Sequence, residues 1–116
     1  MSYRSDTTVW LAQRASAVVL ALCVPVHLAT IIYAVRGGLS AGEIYERVHG
    51  NHEWLAFYLV FVLAVAVHAP IGLRAIAIEW LGWRGPTLDW IRDVVVVLFA
   101  VFLAWMGLRA ALALFL

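Results

Sequence analysis

The chain has 116 residues, of which 66% are hydrophobic and 13% charged, with a mean hydropathy of +0.96. Soluble domains carry about 25% charge and about 45–50% apolar residues, so this composition excludes an ordinary globular enzyme and belongs to the membrane class. A net charge of +1 without a clustered cationic face excludes nucleic acid as a partner.

A chain of this length holds about three spans of roughly 20 residues, so any reaction it serves takes place in the bilayer or on another protein. Residues 15–35 are uncharged, preceded by Arg14 and closed by Arg36-Gly37-Gly38, where Gly caps a helix. The run is too long for a secretory signal peptide and no small-residue cleavage site closes it. Ser40-Ala41-Gly42-Glu43 is a capping-box pattern ahead of Ile44, Tyr45 and Val48, which predicts a short helix lying at the interface. Residues 54–73 form a second uncharged stretch, entered through Asn51-His52-Glu53, an N-cap followed by an acidic first turn. Gly85-Pro86 then breaks the chain, and a third apolar stretch runs from Val94 to the end, interrupted by Arg109. The expected architecture is therefore all-α: a single membrane domain, residues 1–116, with spans at 12–35, 54–78 and 92–114, packed into a larger helical bundle.

Arginine supplies every basic side chain. Arg4, Arg14, Arg74, Arg84 and Arg92 fall on one side of the predicted membrane, and Arg36, Arg47 and Arg109 on the other. The positive-inside rule then predicts a cytoplasmic N-terminus and an outward C-terminus. Trp10, Trp54, Trp80, Trp83 and Trp90 fall near predicted span ends, where amphipathic rings anchor at the headgroups. The lone Cys23 sits in an apolar run and reads as a small core residue.

His49 and His52 lie in the outer link and are assigned no role. His27 and His68 lie inside apolar spans, where an ionisable group is costly and faces a bundle interior, a cofactor or a proton path. At about 1.5 Å per residue, His27 is roughly 12 Å and His68 roughly 21 Å from the outer ends of their helices, so the two are poorly placed to ligate one iron. Each is expected to find a partner on another chain. Gly72, one turn after His68 on the same face, leaves room for a flat macrocycle against the helix. Arg74, roughly 9 Å from His68 along the axis, is suited to meet an anionic propionate or to snorkel to the interface. Gln13-Arg14-Ala15-Ser16 offers an amide, a cation and a hydroxyl at the mouth of the first helix, groups able to bind a quinone carbonyl.

The pairing of Gln13-Arg14-x-Ser16-Ala17-Val18-Val19-Leu20 with His68-x-x-x-Gly72-Leu73-Arg74 resembles the cytochrome b membrane-anchor subunits of succinate dehydrogenase and fumarate reductase, the respiratory complex II family. The resemblance covers nearly all the chain. It departs at Ala17, where the family often has Gly, and at Ala75, where many members have a further His. It implies that His68 is an axial ligand of haem b, that Arg74 neighbours a propionate, and that Ser16 and Arg14 contribute to a quinone site. For members with two haems it implies that His27 ligates the second. It further implies an FAD flavoprotein, an iron–sulfur subunit and a second anchor subunit or second copy, in the inner (cytoplasmic) membrane. Residues 74–90, mixing charges with Trp side chains, would offer much of the docking surface. The alternatives are a purely structural anchor, the cytochrome b anchor of another respiratory oxidoreductase, and a proton-conducting subunit, which the lack of an intramembrane acid disfavours.

Overall fold

The computed structural model describes residues 3–116, with side chains from Asp6 onward, so the side chain of Arg4 lies outside the described set. Helix α1 (Tyr3–Arg36) is followed by a short α2 (Ala41–Val48), then α3 (His52–Glu79) and α4 (Pro86–Phe115). No strand occurs among the described residues. The three long helices each have the length and composition to cross a membrane, as expected, and the short one follows the predicted capping box.

Local chemistry sets the boundaries. α1 ends in a Schellman arrangement: Gly38 takes φ +64°, its N–H donates to Val35 O at 3.2 Å, and Leu39 N donates to Ala34 O at 3.0 Å. At α2 the reciprocal cap is complete, with Ser40 N donating to Glu43 Oε2 at 2.7 Å and Glu43 N donating to Ser40 Oγ at 3.3 Å. Asn51 Oδ1 accepts from Trp54 N at 3.0 Å and starts α3. α4 begins at Pro86, several residues before the predicted span. Gly85 at φ +119° turns the chain, and a Pro in the first helical turn starts a helix as readily as it ends one. Pro25 and Pro70 sit inside α1 and α3, and the helices continue through them.

α3 is the shared partner of α1 and α4. Both pairings are antiparallel, because contacts that ascend α3 descend its neighbours: Tyr58 meets His27 and Phe115, whereas His68 meets Ser16 and Arg74 meets Asp93. The α3–α4 contact is closest at Gly107, where an added Cβ would lie 2.6 Å from Val62 Cγ1. At one end Phe115, 2% exposed, stacks on Tyr58, and its carbonyl accepts from Gly50 N at 2.8 Å, tying the α2–α3 link to the end of α4. At the other end Arg92 is 5% exposed and pins the turn between α3 and α4. Its Nη1 donates to Trp83 O at 2.8 Å and to Asp89 Oδ1 at 2.6 Å, and its Nε donates to Asp93 Oδ1 at 3.1 Å. Arg92 therefore belongs to α4 as a neutralised structural residue, which removes it from the free positive charges of the link.

In the most apolar windows of α1, α3 and α4, 6%, 11% and 6% of the residues are buried within the chain. The others are half-buried or exposed, so part of the apolar surface faces lipid or another subunit.

Gly107→Ala should destabilise the helix pair by about 1–3 kcal/mol, since Val62 is branched at Cβ and cannot swing aside; a second change, Val62→Ala, should restore most of the loss in thermal unfolding of the detergent-solubilised chain. The Ser40 backbone N–H, with a smaller contribution from the Ser40 hydroxyl, holds the Glu43 carboxyl below its ordinary value of 4.5. A depressed carboxyl stabilises the cap fully above that ordinary value and loses the effect as pH falls through the lower folded one. The Ser40 amide proton should therefore titrate by NMR with a midpoint below 4.5.

Candidate functional site

α1 and α3 bring two imidazoles to two levels. His68, in the middle of α3, has Nδ1 3.3 Å from Ser16 Oγ on α1. Ser16 is 7% exposed, and its hydroxyl also donates to Gln13 O at 3.1 Å. His27 on α1 has Nδ1 2.9 Å from Tyr58 Oη on α3. Ten to eleven residues separate these pairings on each helix, which puts the two imidazoles about 15 Å apart along the bundle. Counting from helix ends gave a smaller gap, because the ends of α1 and α3 are not level. The conclusion that one iron cannot bind both stands.

The His27 level is aromatic. The imidazole meets Tyr58 and Phe61 edge-on, with ring centroids 5.5 and 5.3 Å away. It lines an apolar cleft of about 450 Å³ with Val62, Met106, Gly107 and Phe115. On its other side is a second cleft of about 370 Å³ reaching Thr30, Arg47 and Trp54. Both are in the range of small-molecule sites, roughly 300–1,000 Å³.

The His68 level is polar. Gln13, Ser16, His68 and Gly72 meet across the α1–α3 seam. Gln13 Oε1 is buried and has no hydrogen-bond partner among the described residues. An added Cβ at Gly72 would lie 3.6 Å from Gln13 Nε2, at ordinary contact distance, so the glycine faces the α1 amide across the seam.

Arg14 and Ser16 do not converge. Positions two apart on a helix point to different sides, and Arg14 is exposed, with its guanidinium carbon 5.1 Å from the Trp10 ring centroid. Arg74 reaches α4, where its Nε donates to Asp93 Oδ1 at 3.4 Å. Asp93 thus bridges Arg74 and Arg92. Near this corner Trp80, Leu81 and Trp90 are exposed.

Sequence reasoning passed over Tyr58 and Asp93. Tyr58 is counted as apolar in a hydropathy scan, yet a hydroxyl inside a span needs a partner, and that requirement was the available signal. Asp93 lay in a charged link whose helical register only the structure fixes. Among the described residues no group of three or more His, Cys, Asp or Glu comes together.

An all-helical chain with three helices long and apolar enough to cross a membrane has the build of a small membrane anchor. Residues 1–108 match the family model described as the succinate dehydrogenase/fumarate reductase transmembrane subunit, and the chain belongs to that family. A succinate dehydrogenase hydrophobic membrane anchor subunit of Archaeoglobus fulgidus is 34% identical over 70 residues, 60% of this chain and 59% of that relative. The matched segment therefore spans less than two thirds of that relative's length. No solved structure matches.

Because Gln13 Nε2 lies at ordinary contact distance from the built Cβ, Gly72→Ala should leave the α1–α3 pair intact and add up to about 1 kcal/mol of helix stability. Gly72→Phe should separate the two helices, read as a lower midpoint in thermal unfolding of the detergent-solubilised chain.

Proposed function

We propose that this chain is the haem b-binding membrane anchor of a succinate:quinone oxidoreductase in the inner (cytoplasmic) membrane, with its N-terminus cytoplasmic. Succinate oxidation on an FAD flavoprotein sends electrons through an iron–sulfur subunit to quinone at the membrane surface, and fumarate reduction draws them from quinol by the same route. The observation that carries this reading is the pair of imidazoles inside apolar helices, about 15 Å apart along the bundle, each held through one ring nitrogen by the neighbouring helix. Bound haem b supplies one-electron transfer between the iron–sulfur subunit and quinone. His68 would hold one iron, and His27, lining its apolar cleft, a second, with further ligands supplied by a second anchor subunit or a second copy. Each imidazole keeps Nε2 free of hydrogen bonds among the described residues, which fits ligation.

For quinone the fitting feature is Gln13. Its buried, unpartnered Oε1 can accept from a quinol hydroxyl, while Arg14, exposed at the same end of α1, keeps protons from water within reach. Ser16 belongs to this polar level as well. Arg74, already drawn to one carboxylate in Asp93, is suited to a propionate by the same chemistry. The exposed Trp80, Leu81 and Trp90 beside the α3–α4 turn give the soluble subunits an amphipathic platform. The large apolar area left uncovered by this chain supports a partner anchor.

A second reading has its own support. The bonds to Ser16 and Tyr58 also satisfy both histidines within the chain, as a purely structural anchor requires. Spectra of the complex purified from membranes separate the two. His68→Ala should abolish at least one bis-histidine b-type haem, and His27→Ala should remove a second signal while leaving the first. Unchanged spectra and quinone activity in both variants would establish the structural anchor instead.

A further inference from the structure

We infer that Ser16 is a positioning residue for His68: its hydroxyl oxygen accepts the Nδ1 proton, fixes the ring tautomer and aims a basic Nε2 at the ligand. The inference rests on the reading of His68 as an iron ligand and concerns what sets the properties of that ligand.

The proton inventory leads to it. A serine hydroxyl has one proton and two lone pairs. Ser16 Oγ stands 3.1 Å from the Gln13 carbonyl and 3.3 Å from His68 Nδ1. A carbonyl has no proton to give, so the Ser16 proton goes to Gln13 O. One proton cannot serve both neighbours, and the contact with the ring is a hydrogen bond only if Nδ1 carries the hydrogen. The lone pair of the neutral imidazole is then on Nε2. Ser16 is buried, which removes water as a competitor for either bond. His27 has no such device: its partner Tyr58 Oη can donate or accept, and nothing at that level fixes which.

Two consequences follow. An imidazole that donates its second N–H is oriented and made more basic, and loss of such a partner typically costs about 10–100-fold in metal affinity. A more basic axial ligand favours the oxidised iron, so removing the acceptor raises the reduction potential. Ser16, which the family resemblance assigns to quinone, thereby links the quinone level to the electronic character of the haem ligand.

The test uses the purified complex and redox titration of its b-type absorbance. Ser16→Ala should shift the His68 haem toward the reduced form by about threefold to tenfold, the latter equal to about 59 mV for one electron, and should loosen haem about tenfold. Ser16→Thr, which keeps the hydroxyl, should restore both to within about twofold. A Ser16→Ala complex that retains haem at an unchanged potential and loses only quinone KM overturns the inference and leaves the haem reading intact. A measurement that needs no variant and no haem is ¹⁵N NMR of ring-labelled histidine in the full chain in lipid. His68 should show a protonated Nδ1 and an unprotonated Nε2, and the opposite pattern overturns the inference. A complex without b-type haem whose His68 still shows the protonated Nδ1 refutes the haem reading alone.

Discussion

Hydrocarbon offers no hydrogen bonds, and that constraint organises this molecule around α3. A polar side chain that enters the apolar layer is costly without a partner in the protein, because lipid cannot supply one. α3 presents Tyr58, His68 and Arg74 at three heights, and each meets α1 or α4 at that height: His27, Ser16 and Asp93. The three bonds read as rungs that fix the vertical register of α1 and α4 against α3. A shift of either neighbour by one turn would strand a polar group in oil.

Close packing reinforces the same register. Gly107 of α4 faces Val62 of α3, and Gly72 of α3 faces Gln13 of α1, so a missing side chain stands at each seam. The ends are fixed differently, by Phe115 on Tyr58 at one side and by Arg92 gathering Asp89, Asp93 and the Trp83 carbonyl at the other. Between the ends most residues of the long helices stay half-buried or exposed.

The two levels differ in chemistry as well as height. Around His27 the walls are Tyr58, Phe61 and Phe115, and the space is an apolar cleft. Around His68 they are Ser16 and Gln13, with one buried oxygen unpartnered. Electrostatic contacts are stronger in both places than in water.

Much of this was legible without a structure. Apolar run lengths gave three spans, Ser40, Asn51 and Gly38 marked helix ends through local hydrogen bonds, and two histidines stood out because ionisable groups in oil are expensive. These signals are local, which is why the sequence carries them. What faces what is not local. The partnership of Ser16 with His68, the facing of Gln13 and Gly72, the meeting of Arg74 with Asp93, and the separation of Arg14 from Ser16 depend on how far α1 and α4 slide along α3. That offset is set jointly by glycine contacts and polar rungs between residues more than 15 positions apart, and only the tertiary structure could decide it.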